Sequence, residues 1–308
     1  MSETLTEPPP AGDDEDVFFH SGTTPTYRKV TKTPGAFTTI PTIDISALTS
    51  PTPSLSSRQQ IAAQIYSACS MTAHVHKNPA IRGFEPMFET RLDPRTRGDT
   101  KEAFTMGDCP LEPEQGYISK IFALAFGLEE TAFAGLFSRF LIWGMRARLH
   151  YPPLTPPPTE GDAEGISLGA HSDFSWLTLV LQDSVAALEI LNKDGVWIDA
   201  PPAPGTFVCN VGQYLERQTA GRFVATVHRV RNKTGAGRYS LPFFLTPGPG
   251  ARLGVLECCV EEGEERGEAV DVGGLYIRRV LPARPKHLTS IKYRDVPEKE
   301  WRYECLYG

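Results

Sequence analysis

Residues 171–183 read HSDFSWLTLVLQD, and the fold turns on how they are read. From Leu177 onward the run is apolar and β-prone, as in a buried strand. A strand sends every second side chain to the same face. His171 and Asp173, two apart at its head, therefore point the same way and can share one ligand.

Short β-prone runs continue on both sides of this stretch. RARLHY, ALEILN, GVWIDA, TFVCNVG, FVATVHRVRN and RYSLPFFL are separated mostly by Pro, Gly, Asn or Asp, which suggests a barrel or jelly roll built after residue 146. The chain holds 27 Pro and 27 Gly, which raises its turn content in keeping with a β-rich fold. The texture before residue 146 differs. SSRQQIAAQIYSACS (56–70) carries apolar residues at 61, 65 and 68, a helix stripe, and residues 117–146 are predicted helical. NPAIRGFEP (78–86) and DPRTRGDTKEAF (93–104) read as loops. Residues 1–36 are Pro-, Thr- and acid-rich and read as a disordered arm. Three regions are thus expected: the arm, a mostly helical part over 37–145, and a β-domain with a C-terminal extension over 146–308.

A net charge of −6 without a clustered run of Lys and Arg argues against nucleic acid as a partner. No apolar run is long enough for a bilayer, and the first twenty residues lack the basic and apolar regions of a secretion signal, so a cytoplasmic protein is expected. The six cysteines show no zinc-like spacing, and the adjacent Cys258 and Cys259 read as plain free thiols rather than a redox pair. His74 and His76 form a same-face pair with no third ligand nearby, which reads as structural. The DDED run at 13–16 reads as solvated charge.

An H-x-D alone carries little weight in a chain with seven His. It gains company in TVHRVRNKTGAGRYSLPFF (226–244). There His228 sits in an apolar β-run, and Arg238 and Ser240 follow with the same-face spacing of two. Two imidazoles and one carboxylate are the donor set of the facial triad that holds non-haem Fe(II) and leaves coordination positions open. An Arg fork with a hydroxyl beside it can clamp a carboxylate, which Lys would do less well. The constellation suggests an acid with two handles, one for the metal and one for Arg238.

From Arg148 to about Pro247 the chain resembles the iron/2-oxoglutarate dioxygenases of the isopenicillin N synthase-like superfamily. RLHYPP (148–153), LGAHSDFSWLTLVLQD (168–183), DGVWIDAPPAPGTFVCNVG (194–212), ATVHRVRN (225–232) and RYSLPFFLTP (238–247) stand in family order, flanks included. Weaker likeness reaches IPTIDISAL (40–48), similar to the family's opening strand, and the NPAIRGFEP and RGDTKEAF segments. The resemblance implies a double-stranded β-helix, or jelly roll, behind a helical N-terminal part. That part is shortened, because a strand that usually follows the first helix is missing. It further implies that His171, Asp173 and His228 bind Fe(II), that Arg238 and Ser240 bind the far carboxylate of 2-oxoglutarate, and that Tyr151 helps to position it. The implied reaction uses O₂, turns 2-oxoglutarate into succinate and CO₂, and hydroxylates, desaturates or cyclises a small organic molecule, in keeping with specialised metabolism. Relatives that need no 2-oxoglutarate carry the same R-x-S, so an oxidase of the isopenicillin N synthase type stays open, as does a non-catalytic relative. Trp176 reads equally as a pocket wall or as a core or surface aromatic, and Gln213 stands where the family commonly has an acid. Oligomeric state is not legible.

Overall fold

The structure is a computed structural model. It describes residues 16–21, 24–29, 43–44, 54–71, 83–85, 99, 102–106, 117–137, 145–150, 166–234, 236–261, 267–284 and 288–302. In chain order the strands are β1 (Asp16–Ser21), β2 (Thr24–Lys29), β3 (Gly83–Glu85), β4 (Glu102–Met106), β5 (Met145–His150), β6 (Ile166–His171) and β7 (Leu177–Gln182). They continue with β8 (Leu188–Leu191), β9 (Trp197–Asp199), β10 (Val208–Val211), β11 (His228–Arg231), β12 (Arg238–Leu245), β13 (Arg252–Leu253) and β14 (Val270–Asp271). The helices are α1 (Leu55–Met71), α2 (Tyr117–Ala125), α3 (Gln213–Gln218), α4 (Val272–Ala283) and α5 (Leu288–Lys292).

Two antiparallel sheets carry the fold. One has the order β10-β7-β12-β5-β4-β3 and the other β6-β11-β8-β9. Chain neighbours such as β6, β7 and β8 fall in alternate sheets, so the chain winds between them as a jelly roll does. Alternation along β12 is explicit: Arg238, Ser240, Pro242 and Phe244 are buried, and Tyr239 between them is exposed. On the second sheet Glu189 faces Arg229 in register, and the two pair at 2.5 Å while the Arg229 guanidinium lies 3.9 Å above the Trp197 ring.

The main core joins the head of β7 to α2, α3 and α4 through Phe122, Phe133, Phe174, Trp176, Tyr214, Phe223, Tyr276 and their neighbours. Trp176 is fully buried. Phe122 and Phe133 meet it edge-on at 5.1 and 5.2 Å, and its indole N–H donates to Gln218 Oε1 at 2.7 Å. Trp176 is a core aromatic, which settles the two readings of it. Trp176→Phe keeps most of the ring contact but leaves the buried Gln218 oxygen without this donor; a loss of about 1–3 kcal/mol in chemical denaturation is expected.

The helix expected over 56–70 forms as α1, capped by Ser54, whose Oγ accepts from the Ser57 amide at 3.2 Å. Several expectations for the first half are corrected. The long helix predicted over 117–146 stops at Ala125: Gly127 takes φ +69, and the amides of Gly127 and Leu128 fold back to the carbonyls of Leu124 and Ala123. A 3₁₀ turn at Ala134–Phe137 follows, and Met145–His150 is strand. Part of the KEAF loop is strand β4, which pairs with β5 over its whole length, and Gly83–Glu85 of the other loop pairs with β4. Only a distant partner makes such short segments strands. Among the described residues of 37–145, helix outweighs strand, and the short β3 and β4 extend the first sheet from β5.

Within the expected arm, β1 and β2 pair as a hairpin, and Val17 packs beside Leu191 and Val227. Of the segment likened to an opening strand, Ile43 and Asp44 are described and neither is in a strand. Tyr151, His74, His76 and His287 lie outside the described residues. Among the described residues no helix is long and apolar enough to cross a membrane.

Candidate metal centre

His171 ends β6 and His228 begins β11, and the antiparallel register sets these two residues directly opposite each other. Their ring centroids are 4.0 Å apart. Asp173 lies two residues beyond His171 in the link to β7. All three side chains are buried, and one potential ligand atom from each lies within 4.8 Å of the other two. Two imidazoles and a carboxylate crowded into the interior suit a divalent metal such as Fe(II) by donor chemistry. Among the described residues this is the one such group of His, Cys, Asp and Glu found.

Local bonding orients each donor. The Gly169 carbonyl can only accept, so the 2.5 Å contact from His171 Nδ1 places the ring proton on Nδ1 and leaves Nε2 as the ligating atom. That Nε2 lies 3.8 Å from Asp173 Oδ1. The other carboxylate oxygen, Oδ2, accepts from Thr178 Oγ1 at 3.2 Å. Asp99 holds β6 from a distance, because its Oδ1 accepts from the Gly169 amide at 3.1 Å in a buried setting.

The link from Ser172 to Trp176 lies between strands; Trp176 N–H donates to Leu245 O of β12 at 2.9 Å, and the entry to α3 supplies three further backbone hydrogen bonds. A helix start has backbone amides to give. Gly212 N–H donates to Trp176 O at 3.0 Å, Gln213 N–H to Asp173 O at 2.7 Å and Tyr214 N–H to Ser175 O at 3.1 Å. Gln213 also gives its side-chain amide to Ser172 Oγ at 2.6 Å. Sequence reading assigned no function to Gln213; the structure makes it a brace for the residue between His171 and Asp173. Gly212 is required for this approach, since a Cβ there would sit 2.0 Å from Ser175 O.

Arg238 and Ser240 stand side by side on the inward face of β12, in the other sheet, with Nη1 donating to Ser240 Oγ at 3.3 Å. Nη2 donates to Gln182 Oε1 at 2.7 Å, and Nε to Val185 O at 3.1 Å. The guanidinium is thus held from the end of β7 and the β7–β8 connection. Cys258 and Cys259 are free, with sulfurs 4.0 Å apart, and burial pushes the Cys259 thiol up to about 11, so it stays protonated and unreactive. His20 and His150 lie in β1 and β5.

Residues 144–247 match the family model of the 2OG-Fe(II) oxygenase superfamily. A 2-oxoglutarate-Fe(II) type oxidoreductase, ppzC of Metarhizium majus, is 38% identical over 160 residues, 50% of this chain and 42% of the relative. A 2-oxoglutarate-Fe(II) type oxidoreductase of Aspergillus fumigatus is 40% identical over 187 residues, 60% of this chain and 50% of the relative. The chain thus spans half or less of the length of these curated relatives. Among solved structures, a full-length Neurospora crassa protein in complex with alpha-KG superposes with a TM-score of 0.62 at 18% identity, covering 78% of this chain and 95% of that one. That likeness is one of fold. The matched stretch spans β5 to β12 and so takes in both His residues, Asp173, Arg238 and Ser240, and over residues 144–247 the chain is similar to the 2OG-Fe(II) oxygenase superfamily.

Proposed function

We propose that this protein is an Fe(II)- and 2-oxoglutarate-dependent oxygenase acting on a small organic molecule. One observation carries the reading: His171, Asp173 and His228 converge in the interior within a stretch similar to this superfamily. In this reading the three residues hold Fe(II), Arg238 and Ser240 hold the far carboxylate of 2-oxoglutarate, and Tyr151 helps to orient it. Bound Fe(II) supplies O₂ activation, coupled to decarboxylation of 2-oxoglutarate to succinate and CO₂.

The chain's own groups account for the rest. His171, Asp173 and His228 would supply three donors to Fe(II) and leave coordination positions open to co-substrate and O₂. Arg238 is fixed before any acid arrives by Gln182 and the Val185 carbonyl, so little side-chain entropy is lost when its fork meets a carboxylate. Burial of the metal-facing donors limits the access of bulk water to the reacting groups. In this reading the small molecule is hydroxylated, desaturated or cyclised, in a specialised-metabolism role that the family resemblance suggests.

The deciding experiment is anaerobic titration with Fe(II) and then 2-oxoglutarate, followed by the visible charge-transfer band of the chelate. Appearance of the band, and succinate formed in step with O₂ uptake once a substrate is supplied, is the expected result. Product and O₂ uptake without succinate would replace this reading with the oxidase one, and absence of metal binding would remove both. Arg238→Ala is expected to raise the apparent KM for 2-oxoglutarate by at least about tenfold with metal affinity retained, since a charge-assisted pair is worth about 1.5–3 kcal/mol. An unchanged KM would remove Arg238 from this role.

A further inference from the structure

We infer that Thr178, backed by Ser175, is a positioning residue that limits Asp173 to one metal-facing oxygen. The inference rests on the proposed metal centre and concerns residues with no assigned role in it.

Thr178 is the second residue of β7, and Asp173 lies five residues before it, at the start of the link. Both are fully buried, as is Ser175 between them. An ionised carboxylate only accepts hydrogen bonds, so the 3.2 Å contact with Asp173 Oδ2 uses the single proton of the Thr178 hydroxyl. Ser175 Oγ lies 2.9 Å from the same Thr178 oxygen. With the Thr178 proton committed, Ser175 must be the donor in that pair. The direction is therefore determined: Ser175 O–H to Thr178, and Thr178 O–H to Asp173. A hydroxyl that accepts one bond is polarised into a stronger donor for the next.

The consequence falls on the carboxylate. Oδ2 is occupied on the Thr178 side while Oδ1 points toward His171 Nε2, 3.8 Å away. Carboxylates can bind a metal through one oxygen or two. Ligation through both would fill a fourth position and crowd the face required for a two-handled co-substrate and O₂. Thr178 keeps one oxygen out of the metal's coordination sphere. The link cannot easily turn to compensate, because the Asp173 carbonyl accepts from the Gln213 amide at 2.7 Å and Ser175 O from the Tyr214 amide at 3.1 Å.

The test compares Thr178→Val, Thr178→Ser and wild type in Co(II) titrations, reading the dissociation constant and the visible ligand-field spectrum, which reports coordination number. Thr178→Val preserves shape and removes the hydroxyl. It is expected to weaken Co(II) binding by about tenfold, the low end for loss of a group that orients a metal ligand, and to change the spectrum. Thr178→Ser restores the donor and is expected to return both readouts to near wild type. A Val variant that binds Co(II) with wild-type affinity and spectrum, or a Ser variant as impaired as Val, would overturn the inference. Should the Val variant fail to fold, Ser175→Ala carries the test: a loss of about threefold is expected from weakening the donor behind Thr178, and unchanged binding and spectrum overturn the inference. Failure of wild type to bind Co(II), or equal binding by His228→Ala, would instead show that the metal centre itself is misassigned.

Discussion

His228→Ala is expected to lower the affinity for Fe(II) or Co(II) by at least about 100-fold and to abolish turnover, with the fold retained. Loss of an outer-shell partner already costs about 10–100-fold in metal affinity, and loss of one of only three protein donors costs more. The fold should survive because the strand pairing at this position is made by the backbone. It opens β11, facing His171 on one side and Ile190 on the other, and an alanine keeps both pairings. Isothermal titration with the metal, beside a thermal melt of the metal-free protein, separates the two effects. Wild-type affinity in the variant would break the triad assignment, and with it the proposed function.

Gly212→Ala is expected to produce a large loss of stability. The new Cβ would lie 2.0 Å from the Ser175 carbonyl oxygen, 2.4 Å from its carbon and 2.5 Å from Ser175 Oγ. Two of those atoms are backbone, so no side chain can swing away to make room. Relief requires α3 to retreat from the link, stretching the three amide donations from Gly212, Gln213 and Tyr214. A cost above about 3 kcal/mol follows, at or beyond the upper range for overpacking a closed site. Metal affinity should fall as well, because one of the three bonds holds the Asp173 backbone. Chemical denaturation of the metal-free variant measures the first effect, and Co(II) titration the second. Gly250→Ala serves as the matched control, since a Cβ there meets nothing within 4 Å and a change under about 0.5 kcal/mol is expected. A Gly212→Ala protein as stable as that control would refute the close approach between α3 and the link.

The two halves of the chain differ in how far they can be read from sequence, and the reason is physical. From residue 166 on, most strands are runs of four or more residues with apolar or alternating patterns, such as LTLVLQ and RYSLPFFL. A same-face spacing of two in H-x-D and R-x-S follows from strand geometry alone. In the first half, GFE and EAFTM are too short to carry a period, and they are strands because β5 lies alongside EAFTM and EAFTM lies alongside GFE. The run from Tyr117 kept its apolar character past Ala125, so the helical pattern outlasted the helix that Gly127 ends. Val17 likewise finds its neighbours at Leu191 and Val227, far along the chain, and nothing near it in sequence announces them.

The candidate site divides along the same line. Donor type, order and spacing within each motif are local properties, and they pointed to His171, Asp173, His228, Arg238 and Ser240 before any contact was known. The supporting groups are relations between distant segments. Asp99 reaches the Gly169 amide, Gln213 reaches Ser172, and Gln218 accepts a hydrogen bond from the Trp176 indole. Thr178 was within reach, five residues from Asp173 at the head of β7, but a Thr in a β-run is ordinary and its hydroxyl direction depends on how the link closes. Side-chain alternation is imposed by the stereochemistry of each residue in turn, and so is legible one stretch at a time. Strand register, the seating of α3 against the link and the burial of Trp176 depend on which remote surfaces meet, and only the folded chain brings those surfaces together.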